Sequence, residues 1–226
     1  MDRICEPELM DDQAQALAYA GADFSAGDQA VVERFASLAT PQLGDALLDL
    51  GCGPGNISFR LAETFPQVRV LGVDGAAAML QIATARLQAA PGQWPALAFA
   101  QAVLGPTGLV PCPPGLFKGL ISNCLLHHLH EPQPLWDALP RLAAPGAAVL
   151  VRDLRRPASP EAVHDLLQRH LAAAPPVLQR DYVASLHAAF TVDEVRQQLA
   201  VAGLADQLQV AELDDRYLEV WGFLAG

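Results

Sequence analysis

The chain has 226 residues, 52% of them hydrophobic and 17% charged, enough to bury the core of one α/β domain without disulfides or a metal. Its 14 basic and 25 acidic residues give a formal net charge of −11, which argues against a nucleic-acid partner, because phosphate binding draws on clustered Lys and Arg. Cysteines 5, 52, 112 and 124 lack any C-x-x-C spacing, and no signal core or apolar run of roughly 18 residues appears, so a cytoplasmic protein without metal or membrane span is expected.

Residues 9–39 hold apolar positions at helical spacing, first Leu9, Ala16, Tyr19 and Ala20, then Val31, Val32, Phe35 and Leu38. Two helices are predicted, broken near Phe24 by Gly21, Ser25 and Gly27. Such a segment either folds over a pocket as an amphipathic lid or packs outside the sheet; in the first case Tyr19 and Phe24 are candidate substrate contacts.

The next run, Ala46 to Leu50, reads as a buried strand entering the turn Gly51-Cys52-Gly53-Pro54-Gly55, with a helix from Asn56 to 65. A second strand at 68–73 ends on Asp74, 19 residues beyond Gly55, near the spacing at which an acid accepts hydrogen bonds from a ribose diol. A helix at 76–89 and a short strand at 97–100 follow. Strands alternating with helices predict a parallel sheet.

Gly105 to Gly115 is rich in Pro and Gly and reads as a loop, followed by a strand from Phe117 to Asn123 and a helix from Leu135 to Leu142. Pro145-Gly146 turns the chain into a strand at Ala147 to Arg152, with Asp153 at its carboxyl edge. Arg152, Arg155 and Arg156 are the one dense basic group, either a solvated rim or a contact for an anionic substrate. Helical stretches at Pro160 to Ala173 and Asp181 to Ala189, separated by Pro175-Pro176, suggest an insertion carrying Tyr182. A helix capped by Thr191 and Glu194 runs to Gly203, and a hairpin over Leu208 to Leu213 and Tyr217 to Phe223 closes the chain around Asp214-Asp215-Arg216.

The turn has the pattern G-x-G-x-G rather than the G-x-G-x-x-G of dinucleotide sites, so NAD is not the expected cofactor. Leu47-Leu48-Asp49-Leu50-Gly51-Cys52-Gly53-Pro54-Gly55 resembles the first motif of the class I S-adenosylmethionine-dependent methyltransferases. The resemblance implies a Rossmann-like, doubly wound, seven-stranded and mostly parallel sheet with an antiparallel C-terminal strand. It further implies one domain over 1–226, comprising a helical lid (1–40), a cofactor-binding core (41–156), a helical insertion that caps substrate (157–190) and a closing helix and hairpin (191–226).

On that resemblance Asp49, Gly51, Cys52, Gly53, Gly55 and Asn56 line the methionine end of the cofactor, and Asp74 with Gly75 the ribose. Asp49 either orders the glycine turn or receives the ligand ammonium. Met79 stands near the adenine or in the core. Many relatives carry an acid after the third strand, whereas this chain offers Gln101, beside Ala102, whose carbonyl can accept a bond from the adenine amino group.

Asn123 and Cys124 open the segment Asn123-Cys124-Leu125-Leu126-His127-His128-Leu129-His130, which holds half of the six histidines. Methyl transfer needs alignment and sometimes proton removal, so His127 and His128 are candidate general bases, with packing as the alternative. Arg216 either pairs with its neighbouring aspartates or holds an anionic substrate. The activity implied is methyl transfer from S-adenosylmethionine to a small molecule; the competing readings are an RNA or protein methyltransferase, a nicotinamide enzyme and a non-catalytic cofactor-binding or scaffolding subunit. The acceptor and the oligomeric state are not legible.

Overall fold

A computed structural model describes residues 1–7, 9–39, 44–104 and 113–225. Five parallel strands, β1 (Ala46–Leu50), β2 (Arg69–Asp74), β3 (Leu97–Gln101), β4 (Phe117–Asn123) and β5 (Ala143–Leu154), share a sheet with β6 (Leu208–Glu212) and β7 (Tyr217–Leu224). The order is β3-β2-β1-β4-β5-β7-β6, and β7 runs antiparallel to both neighbours. All five residues of β1 are buried, as expected of a central parallel strand covered on both faces. Strand order reverses between β1 and β4, and such a switch point opens a crevice at the carboxyl ends of the strands.

Helices α2 (Ser25–Leu38) and α3 (Asn56–Thr64) cover one face through Val31, Phe35, Ile57 and Leu61 against Leu47, Ile121 and Leu150. On the other face α5 (Gln133–Leu142) and α8 (Val192–Val201) pack Trp136, Leu139, Val195 and Leu199 against Leu48, Leu120 and Val149. Residues adjacent along one strand thus point to opposite layers, the period-two pattern of a pleated strand. Outside these layers α1 (Gln13–Ala20) joins α4 (Ala77–Ala89) around Ala16, Ala76 and Met79, while α6 (Pro160–His170) and α7 (Pro176–Ala188) share Val163, Leu166, Tyr182 and Leu186.

Most predicted elements are found within a few residues, and the differences have local causes. The first two helices separate at residues 21–24; Ser25 and Gly27 lie inside α2, and Asp23 accepts from the Ser25 backbone at its start. The fifth strand begins before the expected turn because an irregularity between Phe117 and Gly119 in its pairing with β4 absorbs Pro145 and Gly146. Pro175 and Pro176 separate the two helices as expected, but Pro176 is itself the first residue of α7, which therefore starts before Asp181, since a first-turn position loses no hydrogen bond to proline. The Thr191–Glu194 capping box forms as expected. Of the loop expected over Gly105 to Gly115, residues 105–112, with Cys112, lie outside the described residues.

Candidate active site

A cavity of about 580 Å³ lies at the carboxyl ends of β1, β2, β4 and β5. Its wall includes Asp49, Gly51, Cys52, Gly53, Asn56, Asp74, Gly75, Met79, Asn123 and Cys124 from the expected cofactor set. Tyr19, Phe24, Tyr182 and Arg216 line it too, as do His127 and His128. Gly55, Gln101 and Ala102 do not. Gln101 is exposed, and its amide donates to the Gly75 carbonyl at 3.0 Å, so its side chain braces the loop after β2. Gly55 supports the turn from behind: a Cβ there would stand 2.8 Å from Phe99.

The turn is built for close approach. The backbone amides of Gly51 and Cys52 both donate to the Val73 carbonyl, which ties the end of β1 to the end of β2. Gly51 has φ +71°, and a Cβ would meet Leu125 at 2.9 Å. Gly53, at φ +52°, has open space where its Cβ would be, so ligand atoms can reach its backbone. Arg86 fixes the outer side by donating to the Pro54 carbonyl and to Asn56, each at 2.7 Å.

Asp74 accepts from the amides of Gly53 and Ala76, both at 2.8 Å. Burial raises its pKa while these amides lower it, and a carboxylate with two such donors keeps lone pairs for a diol. Asp49 is 1% exposed and accepts from the Ser58 hydroxyl at 2.6 Å. Burial pushes its pKa up to about 7, against the smaller opposing effect of Ser58. An acid half-protonated near neutrality beside a cavity is poised to respond to a ligand cation.

The two adjacent histidines have unlike electrostatic surroundings. His127 is 2% exposed; its Nδ1 lies 2.5 Å from Asp153, and its Nε2 lies 3.4 Å from Glu6. Burial opposes protonation of this ring, but Asp153 and then Glu6 outweigh it and raise the pKa. Asp153 is itself oriented by the Leu126 amide at 2.7 Å. Burial, followed by the neighbouring His127, lowers the His128 pKa to about 3. The ordinary titration near neutrality that makes histidine suited to base catalysis is therefore displaced in both rings, in opposite directions.

Glu6, His127 and His128 bring one donor atom each within 4.8 Å of one another, a cluster that spacing along the chain does not reveal because Glu6 arrives from the N-terminal segment. That segment is held by Arg3, which donates to the carbonyls of His127 and Leu129 at 3.1 and 2.8 Å and lies 3.8 Å over the Phe190 ring. Ser185 of α7 donates to Glu6 at 3.1 Å. Glu6, Arg3, Ser185 and Arg152 were not singled out for the site by sequence, apart from Arg152 as part of a basic group. Only Arg152 carried a local signal, its place at the end of a buried strand.

The doubly wound sheet, the switch-point cavity and the glycine turn facing an acidic strand end define a nucleoside-cofactor-binding α/β domain. Residues 47–146 match the family model described as a methyltransferase domain. In fold and first motif the chain is similar to the class I S-adenosylmethionine-dependent methyltransferases.

Among similar sequences, a trans-aconitate 2-methyltransferase of Paracidovorax citrulli is 32% identical over 177 residues, 77% of this chain and 59% of that protein. Another of the same name, from Methylobacterium nodulans, is 34% identical over 137 residues, 59% of this chain and 46% of that protein. The chain spans about half the length of the curated relatives it matches. Among solved structures, an S-adenosylmethionine-dependent methyltransferase from Aquifex aeolicus superposes with a TM-score of 0.68 at 17% identity, covering 95% of this chain and 99% of the other. The plantazolicin methyltransferase BpumL, solved with a monoazolic desmethylPZN analogue and S-adenosylhomocysteine, gives 0.69 at 12% identity, covering 96% and 91%. These two show the shared fold.

The residues present are of the kinds that S-adenosylmethionine needs: an acid anchored by backbone amides at Asp74, an open backbone at Gly53 and a second, buried acid, Asp49, at the cavity wall. Among the described residues no helix is long and apolar enough to cross a membrane.

Proposed function

We propose that this protein transfers a methyl group from S-adenosylmethionine to a small-molecule acceptor bound in the same cavity. The observation that carries the reading is Asp74, anchored by two backbone amides at the strand end that faces the glycine turn. When bound, S-adenosylmethionine supplies an electrophilic methyl group on a sulfonium. Asp74 receives the ribose hydroxyls, Gly51 to Gly53 admit the methionine end, and Asp49 offsets its ammonium. Met79, Asn123 and Cys124 complete that wall. A cavity of about 580 Å³ suits small ligands, and the relatives named trans-aconitate 2-methyltransferases favour a small acceptor over a macromolecule.

In this reading the N-terminal helices (1–40) act as a lid through Tyr19 and Phe24, whose rings pack 4.9 Å apart, and the helices of 157–190 cap the acceptor through Tyr182. The core of 41–156 and the closing elements of 191–226 hold the sheet beneath. His127 positions the loop after β4 through Asp153 rather than removing a proton, because its ring is held in ion pairs on both sides. The free thiols Cys5, Cys52 and Cys124 favour a reducing, cytoplasmic compartment.

Calorimetry with S-adenosylhomocysteine and, separately, NAD tests the cofactor. Binding of the first and not the second is expected, and a protein that fails to bind S-adenosylhomocysteine refutes the proposal. Transfer of labelled methyl to a panel of small acceptors then tests catalysis.

A further inference from the structure

We infer that Arg152 and Arg216 form a receiving site for an acceptor bearing at least two carboxylates, one of which is methylated. The inference rests on the methyltransferase reading and deepens it. Arg152 sits at the carboxyl end of β5, in register with Asn123 on β4 and Glu219 on β7. Arg216 comes from the turn between β6 and β7, and both line the cavity. Their guanidinium carbons lie 4.3 and 4.8 Å from the centre of one ring, that of Tyr217, so they are at most about 9 Å apart.

Neither has a carboxylate within 4.0 Å among the described residues, whereas Arg34, Arg155, Arg156 and Arg169 each pair with one. The Arg152 Nε is buried without a hydrogen-bond partner, while Arg216 faces the buried Tyr182 hydroxyl and has Asp214 as its nearest acidic neighbour beyond ion-pair distance. An unsatisfied donor is costly to bury, and two cations at one end of a cavity await an anion. The cavity's own acids have other partners: Asp23 with Ser25, Asp49 with Ser58, Asp74 with Gly53 and Ala76, Asp181 with Gln15 and Arg180. Asp28 faces Asn56 and Arg60 as well as Arg152. In a chain of net charge −11, a local excess of positive charge here is not a consequence of composition.

The cofactor's own carboxylate is the other source of such an anion, and strand order argues against it. Asp74 ends β2, with β1 and β4 between it and β5. At roughly 4.8 Å per strand, the backbone of Arg152 stands about 14 Å and that of Arg216, at the start of β7, about 19 Å from the backbone of the ribose acid across the sheet. The glycine turn that receives the methionine end follows β1, nearer Asp74 than either arginine.

The arginines hold one carboxylate of the acceptor while an oxygen of another bonds to the methyl carbon. The carbon–sulfur bond breaks with its electron pair going to sulfur; the sulfonium charge and the carboxylate charge cancel, and no proton moves. The product is a methyl ester. A carboxylate nucleophile needs no general base, in keeping with the ion pairs that hold His127.

The test uses the whole chain and three measurements. Calorimetry in the presence of S-adenosylhomocysteine should detect binding of trans-aconitate or citrate, and not of catechol or histamine. Labelled methyl should enter the acids as an ester that mild alkali releases as methanol. Arg152→Met and Arg216→Met should each weaken acid binding and raise KM roughly 10- to 100-fold, the loss of a charge-assisted contact, with S-adenosylhomocysteine affinity unchanged. Arg152→Lys should recover part of it. Intact S-adenosylhomocysteine binding with no acid bound or methylated overturns this inference alone, as does acid binding that both methionine variants retain. Parallel loss of S-adenosylhomocysteine affinity in the variants assigns the arginines to the cofactor and overturns it too. Absence of S-adenosylhomocysteine binding to the parent protein refutes the methyltransferase reading itself.

Discussion

Cofactor affinity should depend on pH through Asp49. Its carboxyl is buried at the cavity wall, and in the free protein burial holds its pKa at about 7. A bound ammonium favours the ionised form, so the complex has the acid deprotonated and binding below pH 7 must expel a proton. With a free pKa near 7 and an ordinary value in the complex, S-adenosylhomocysteine binds about tenfold more weakly at pH 6 than at pH 8. The same linkage fixes the proton count: about 0.9 proton released per ligand at pH 6 and about 0.1 at pH 8. Calorimetry in buffers of different ionisation enthalpy reads both quantities at once. Asp49→Asn should abolish the dependence and bind weakly throughout. Equal affinity at the two pH values, with no proton released at pH 6, refutes the placement of Asp49 against the ammonium.

The same shift predicts a stability effect. An acid whose pKa is raised on folding keeps a proton that the unfolded chain gives up above about pH 4, so its contribution to stability declines as pH rises from 4 through 7. Asp49→Asn should therefore raise the melting temperature of the cofactor-free protein at pH 8, by a gain of about 1 to 3 kcal/mol, and less at pH 5; an equal or lower melting temperature at pH 8 counts against it. Asp74→Ala removes the acceptor for the ribose and should weaken S-adenosylhomocysteine binding by about 1 to 3 kcal/mol, measured by the same calorimetry. Gly51→Ala forces a side chain to φ +71° and against Leu125, so cofactor binding should fall steeply while circular dichroism shows the sheet retained. Arg3→Ala removes the bonds to the carbonyls of His127 and Leu129, and limited proteolysis should then cut within the first residues much faster than in the parent.

The sheet was legible because its signals are local. The buried run Ala46 to Leu50, the glycines after it, Asp74 at the next strand end and the Thr191 cap are each determined by a few adjacent residues, and each forms where the pattern indicated. Charge pairing across the fold was not legible. His127 looks ordinary in sequence, yet Asp153, 26 residues on, and Glu6, 121 residues earlier, decide its protonation, and His127 in turn acts on His128. Gln101 differs in another way: it is the last residue of β3 rather than the first after it, and its amide meets the Gly75 carbonyl outside the cavity wall.

By itself, then, the sequence determined the alternation of strands and helices, the turn that admits a nucleoside and the acid that faces it, because backbone propensity and hydrophobic period act over neighbouring residues. Tertiary structure alone decided what surrounds the rest of the cavity. Arg152 and Arg216 meet one tyrosine ring only because β7 inserts between β5 and β6, and a charge's partners are set by distance in space rather than by separation along the chain.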